Sequence, residues 1–230
     1  MNILIACEES QRVCIAFRKR GHRAFSCDIQ ECSGGHPEWH IQGDVLPLLN
    51  ANCTCVTADS HTHTQNGKWD MIIAHPPCTY LSNAGACRMF KIIDGERYIN
   101  ARRYELMQNG RAFFFQMLNA DCEKICVENP TPMKICKLPK ETQVIQPYQF
   151  GHPYSKRTLL WLKGLNCLEP TEIVENHKPW LPSNTSMYAK GKGGSKGSIR
   201  GSKNYAKTFL GVAEAMAEQW GTDDEQITLF

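Results

Sequence analysis

The chain has 230 residues, 42% hydrophobic and 21% charged, which are ordinary globular values that exclude a disordered or fibrous protein. That length holds one α/β domain with a sizeable core and a small insertion, but not two full domains. A formal net charge of only +3 excludes a polycation that coats nucleic acid over its whole surface, so any such contact has to be local.

Asn2 to Ala6 is a short β-forming run. Ser10 to Arg20 then carries Val13, Ile15, Ala16 and Phe17 on a helical pattern until Gly21 stops it, completing one βα unit. The opening apolar stretch gives way at once to Cys7-Glu8-Glu9, too short for a signal peptide, and no apolar run approaches the roughly 18 residues of a membrane span. A cytoplasmic protein without membrane contact is the expectation. His22 to Cys27 resumes as a strand ending at Asp28, and a Cys/Gly/Pro-rich loop runs on to Trp39. Gly43-Asp44-Val45 begins another segment, while the polar stretch from Asn52 to Lys68 reads as an exposed connection. Trp69 to Ala74 is a compact apolar strand cut off by His75-Pro76-Pro77.

Further on, the pattern predicts a helix over Ala101 to Leu118, strands at Lys124 to Glu128 and Thr158 to Leu162, and an amphipathic helix over Thr208 to Trp220. Strands separated by helices predict an α/β fold with a mainly parallel sheet covered on both faces, whose ligands sit at the C-terminal strand ends. Without a secretion signal, the 12 cysteines read as reduced thiols; Cys14, Cys87, Cys126 and Cys167 lie in mixed apolar surroundings where a thiol acts as a small hydrophobe. Cys27, Cys32, His36 and His40, with His61 and His63 after them, offer zinc-binding side chains. Their spacing is not that of a familiar finger, and no metal is expected.

The segment from Ala74 to Gly85 is the sharpest signal. Two successive prolines end a buried strand and pin the backbone, so Cys78 is presented from a rigid turn, as a nucleophile needs; equally, the prolines could merely terminate the strand. The pattern Pro-Cys-x-x-Leu-Ser-x-x-Gly resembles the catalytic motif of the DNA (cytosine-5) methyltransferases. Val127-Glu128-Asn129-Pro130 looks like that family's Glu-Asn-Val element, and Phe150 to Arg157, running into Thr158 to Gly164, is similar to its Tyr-Gly-x-Pro-x-x-Arg segment. The three motifs keep the family's order, and the likeness is greatest to short members of the phage or prophage type, which would work in the host cytoplasm.

The resemblance implies a Rossmann-like, S-adenosylmethionine-dependent methyltransferase fold: a catalytic core over 1–164, a reduced recognition insertion over 165–205 and a returning C-terminal helix over 206–230. It implies that Cys78 adds to carbon 6 of cytosine, that Glu128 protonates N3, and that Arg157 grips the O2 edge. Taken singly, Glu128 and Arg157 would read as surface charges. S-adenosylmethionine would lie over Cys7, Glu8, Ser10, Asp28, Asp44 and Pro76, with Asp28 on the ribose hydroxyls and the helix beginning near Ser10 receiving the methionine carboxylate on its free amides.

The chain departs from the family in three respects. Ala6-Cys7-Glu8-Glu9-Ser10-Gln11 replaces the glycine-rich turn, Leu159 stands where a second arginine is usual, and the recognition region is short. DNA, duplex or single-stranded, is the expected partner of a monomer with little sequence specificity. Its contacts are placed at Ser82, Arg88 and Lys91, within a Tyr80 to Tyr104 lid that includes Phe90 and Arg97, and at Lys192, Lys196 and Arg200 in the Gly/Ser/Lys segment. The alternatives are a methyltransferase-like nucleic-acid or nucleotide-binding protein without activity, and an enzyme acting on RNA or a free cytosine nucleotide.

Overall fold

The computed structural model describes residues 1–177 and 207–222. Strands β1 (Asn2–Ala6), β2 (Arg23–Asp28), β3 (His40–Gln42), β6 (Met71–Ala74), β9 (Lys124–Pro130), β10 (Gln143–Ile145) and β11 (Thr158–Lys163) form one sheet in the order β10-β11-β9-β6-β1-β2-β3. From β3 to β9 every pairing is parallel, whereas β11 is antiparallel to both β9 and β10. The sheet is therefore mostly parallel with one reversed strand near its edge.

Among the described residues, three helices cover it: α1 (Arg12–Lys19), α2 (Ala101–Leu118) and α3 (Leu210–Trp220). Side chains alternate across a strand, so each strand feeds two cores. Ile3, Ile5, Met71, Ile73, Cys126 and Leu160 join Phe17 of α1 and Met216 of α3 on one face. Leu4, Ile72, Ile125, Val127 and Trp161 join Phe114 of α2 on the other. Strands buried on both faces read as continuous apolar runs, which is why Ile3-Leu4-Ile5 and Met71-Ile72-Ile73 carry no polar alternation.

Among the described residues, two hairpins stand apart from this sheet. The Asn52 to Lys68 stretch, expected to be an exposed connection, contains β4 (Cys53–Val56) paired antiparallel with β5 (Thr62–Gln65). Cys53 and Cys55 point inward while Thr54 and Val56 point out, an alternation too weakly apolar to register as a strand. The second hairpin pairs β7 (Phe90–Ile93) with β8 (Glu96–Ile99), inside the stretch read as a lid. Most of the expected insertion lies outside the described residues, as do Lys192, Lys196 and Arg200. Among the described residues no helix is long and apolar enough to cross a membrane.

Candidate active site

β6 ends at Ala74, and the amide of His75 donates to the carbonyl of Ala6 on β1 before Pro76 and Pro77 remove two donors from the ladder. The chain then turns sharply over Cys78, whose carbonyl accepts the amides of both Leu81 and Ser82 at 3.0 and 2.8 Å. Buried Ser82 bridges to Pro132, and Asn83 donates to Thr131, so the turn is fastened to the segment after β9. Cys78 itself is half-buried.

Ala74 pairs with Val127, so the next residues, His75 and Glu128, come side by side at the C-terminal ends of β6 and β9. His75 Nδ1 lies 3.7 Å from Glu128 Oε2, with side-chain exposures of 11% and 22%. Burial pushes the Glu128 carboxyl upward, but its contact with His75 and the charge of Lys156 outweigh that and hold it below the ordinary value. Burial and the neighbouring Glu128 raise the Cys78 thiol, and Lys156 opposes the rise. His75, Glu128, Lys156, Thr158 and Phe209 line a cavity of about 20 Å³, room for roughly one water. The Nε2 of His75 is buried there without a hydrogen-bond partner, a costly state for a polar atom. A ligand atom would relieve it.

Arg157 is not part of this group. Its guanidinium donates to Glu141 at 3.2 Å and is half exposed. The reason is the alternation of β11: Leu159 and Trp161 share the α2 face, whereas Leu160 packs on the α1 and α3 face toward which Thr158 lines the cavity. Lys156, two residues before Thr158, falls in with that second set, and Arg157 falls between. The cation at the site is Lys156.

Glu8 also departs from its expected use. It is buried, and its carboxylate accepts the amides of Val13 and Cys14 at 2.7 and 3.2 Å and the hydroxyl of buried Ser10 at 3.5 Å. Two of the amides expected to receive a cofactor carboxylate are thus capped by the chain's own carboxylate. Burial raises the Glu8 carboxyl, while the charge of His75 and those amides oppose the rise. Cys7 and Gln11 both adopt left-handed backbone conformations, with φ of 59° and 58°, so the turn that glycine would favour is made without it. Gln11 is held there by bonds from its side chain to Ser26 and the carbonyl of His36 and by the amide of His36. Gly34 presses on this turn so closely that a Cβ would lie 2.6 Å from the Gln11 Cβ.

Asp28 and Asp44 end up near one another at the C-terminal edge, where both charges add to burial in raising the Cys7 thiol. Each uses Oδ1 to cap a local turn, bonding the amides of Gln30 and Leu46 respectively. Each carboxylate retains a second oxygen suited to a ligand hydroxyl or amine. Pro76 is buried between this edge and Cys78. Arg88 and Lys91 are exposed beyond the Cys78 turn. Among the described residues no three His, Cys, Asp or Glu side chains are grouped to hold a metal, and both ring nitrogens of His40 are engaged, by Ser26 and the carbonyl of Gln30.

His75 and Lys156 are the members of the site that motif matching passed over. The signal for His75 was its place directly before Pro-Pro. For Lys156 it was the period-two spacing to Thr158 and Leu160.

No family model matches the sequence, and neither does any curated protein. Among solved structures, the chain is similar to a prophage-encoded E. coli protein assigned as a DNA modification methyltransferase, with a TM-score of 0.43 and 13% identity over 76% of this chain and 52% of that one. This chain thus spans about half the length of that protein.

Proposed function

We propose that the chain transfers a methyl group from S-adenosylmethionine to carbon 5 of cytosine in DNA, through a covalent bond between Cys78 and carbon 6. The observation that carries this reading is the convergence of a half-buried thiol, a carboxyl and an ammonium from three separate segments at the C-terminal edge of a mostly parallel sheet. The strand order supports a Rossmann-like frame, since β1 has β2 and β3 on one side and β6 and β9 on the other, a switch point of the kind at which ligands bind.

Asp28 and Asp44 suit the ribose hydroxyls and adenine edge of the cofactor, and the close approach of Gly34 shapes the turn beside them. The methionine carboxylate has to be held away from the amides of Val13 and Cys14, which Glu8 occupies. When bound, the cofactor supplies the electrophilic methyl group. In the chain's own part of the reaction, Lys156 favours the Cys78 thiolate against burial and Glu128. As sulfur bonds to carbon 6, Glu128 relays a solvent proton to ring N3; after methylation the carbon 5 proton leaves to solvent and the carbon 6–sulfur bond breaks, returning the Cys78 thiolate.

A second reading keeps the fold and drops the chemistry: a nucleotide-binding protein without transfer. The capped amides of α1 and the outward Arg157 favour it. Incubation with labelled S-adenosylmethionine and duplex DNA, single-stranded DNA, RNA or dCMP separates the readings. Transfer to a cytosine substrate that disappears in Cys78→Ser supports the proposal. Transfer that survives the substitution removes the mechanism, and cofactor binding without transfer favours the second reading.

A further inference from the structure

The residues that follow Cys78 dock onto α2. Leu81 is fully buried, and a Cβ on Gly110 of α2 would lie 3.6 Å from its Cγ. Asn100 caps α2 by accepting the amide of Arg103 at 3.3 Å, and donates its own amide to the carbonyl of Met89 at 2.8 Å. Arg103 makes a third fastening. Its Nη2 donates to the carbonyl of Thr79 at 2.7 Å, and its guanidinium lies 4.4 Å from the centre of the Tyr80 ring. Thr79 directly follows Cys78, whose carbonyl accepts the amides of Leu81 and Ser82, so two successive carbonyls of the turn are held.

Gly85 completes this seat. A Cβ there would stand 2.6 Å from Nη2 of Arg103 and 3.2 Å from the carbonyl oxygen of Thr79. Gly85 is not in the left-handed region, so the guanidinium, and not the backbone conformation, is what requires a glycine. The last residue of Pro-Cys-x-x-Leu-Ser-x-x-Gly is thus explained by a side chain on the next helix. Arg103 itself is poorly provided for. Its neighbour Arg102 pairs with Glu105 at 2.9 Å, but among the described residues no carboxylate pairs with Arg103, and its Nε is buried without a hydrogen-bond partner. A half-buried guanidinium without a counter-ion costs folding free energy that an apolar side chain of similar length would not. A side chain retained against stability points to a task at the site.

We infer that Arg103 is a positioning residue for the Cys78 nucleophile: by holding the Thr79 carbonyl in the seat that Gly85 leaves open, it keeps the sulfur beside Glu128 and Lys156. This assignment rests on the cytosine reading for the use of the thiol. Arg103 acts through the backbone of the turn and touches no reacting atom. A turn released from it lets Cys78 escape burial and Glu128, the two influences that raise its thiol, while the sulfur no longer meets a ring in line.

The test uses the full chain. Alkylation of Cys78 by iodoacetamide, followed on its own peptide by mass spectrometry over about pH 7 to 10, reports the thiol without any substrate. Capture of Cys78 by duplex DNA containing 5-fluorocytosine, with S-adenosylmethionine, reports its alignment. Arg103→Met is expected to keep or raise the melting midpoint, to move the alkylation profile to lower pH, and to slow capture about tenfold or more. Arg103→Lys, which can still donate to Thr79, should stay within about fivefold of the wild-type capture rate. Gly85→Ala displaces the guanidinium, so it should slow capture as Arg103→Met does, and the double substitution should be no slower than either alone. An Arg103→Met chain with the wild-type alkylation profile overturns the assignment, as does capture within about twofold of the wild-type rate. A lowered midpoint, with the Gly85 and Arg103 effects adding independently, overturns it too, because Arg103 then serves the fold alone. If the wild-type chain is not captured, the cytosine reading fails and the alkylation profile alone decides: a shift in Arg103→Met supports the hold on the turn, and an unchanged profile defeats it.

Discussion

His75 and Glu128 are 53 positions apart in the chain, yet parallel pairing of β6 with β9 brings Nδ1 within 3.7 Å of Oε2. The pair joins a ring with an unpartnered buried nitrogen to the carboxyl beside Cys78. His75→Phe removes the contact with Glu128 while keeping a ring of similar size. Methyl transfer is expected to fall about 10²-fold, with the pH profile of the residual rate shifted, because Glu128 then loses the main influence opposing its burial. Rates across pH 5 to 9, approximately the range in which histidine and perturbed carboxyls titrate, check it.

Lys156 and Arg157 separate the roles of adjacent cations. Lys156→Gln removes the charge that offsets Glu128 at the thiol, so trapping of Cys78 by 5-fluorocytosine DNA should slow about tenfold or more. Arg157→Gln breaks an ion pair between partly exposed groups, at a cost below about 1 kcal/mol, and should slow trapping less. The reverse order would return the guanidinium to the site.

Glu8 holds two amides at the start of α1 inside the protein. Glu8→Ala leaves Val13 N and Cys14 N without that partner and should lower unfolding free energy by about 1 to 2 kcal/mol in a urea titration. An unchanged midpoint would mean that water or a rearranged side chain takes its place.

His152 supplies a pH dependence. Its Nε2 accepts the amide of Gly211 at 3.0 Å at the start of α3, which requires the neutral ring. Burial and then Arg12 lower its pKa, with Glu214 and Glu172 in opposition. The unfolded chain therefore binds the proton more readily. Stability is full above the ordinary value of 6.5 and is lost as pH falls from there through the depressed folded pKa. Melting midpoints should drop on that acid limb, and His152→Gln, whose amide oxygen can accept the same bond, should flatten the drop.

The sequence alone determined the helix Ala101–Leu118 and the strand ending at Ala74, because apolar runs with clear punctuation leave few other choices there, but not the weakly apolar β4–β5 and β7–β8 hairpins. It also determined that Cys78 follows a proline-pinned strand end, since two residues without amide donors end a ladder in any fold. Tertiary structure decided the rest. The period of a strand tells which residues share a face but not which face meets the site, so Lys156 and Arg157 exchanged places only once β11 lay antiparallel against β9. Nor does local pattern show that a carboxylate will turn back onto its own helix, as Glu8 does, or that His75 and Glu128 will meet. Those contacts join segments that only the packing of one sheet brings together, and the cost of desolvating each charge then selects the partner it keeps.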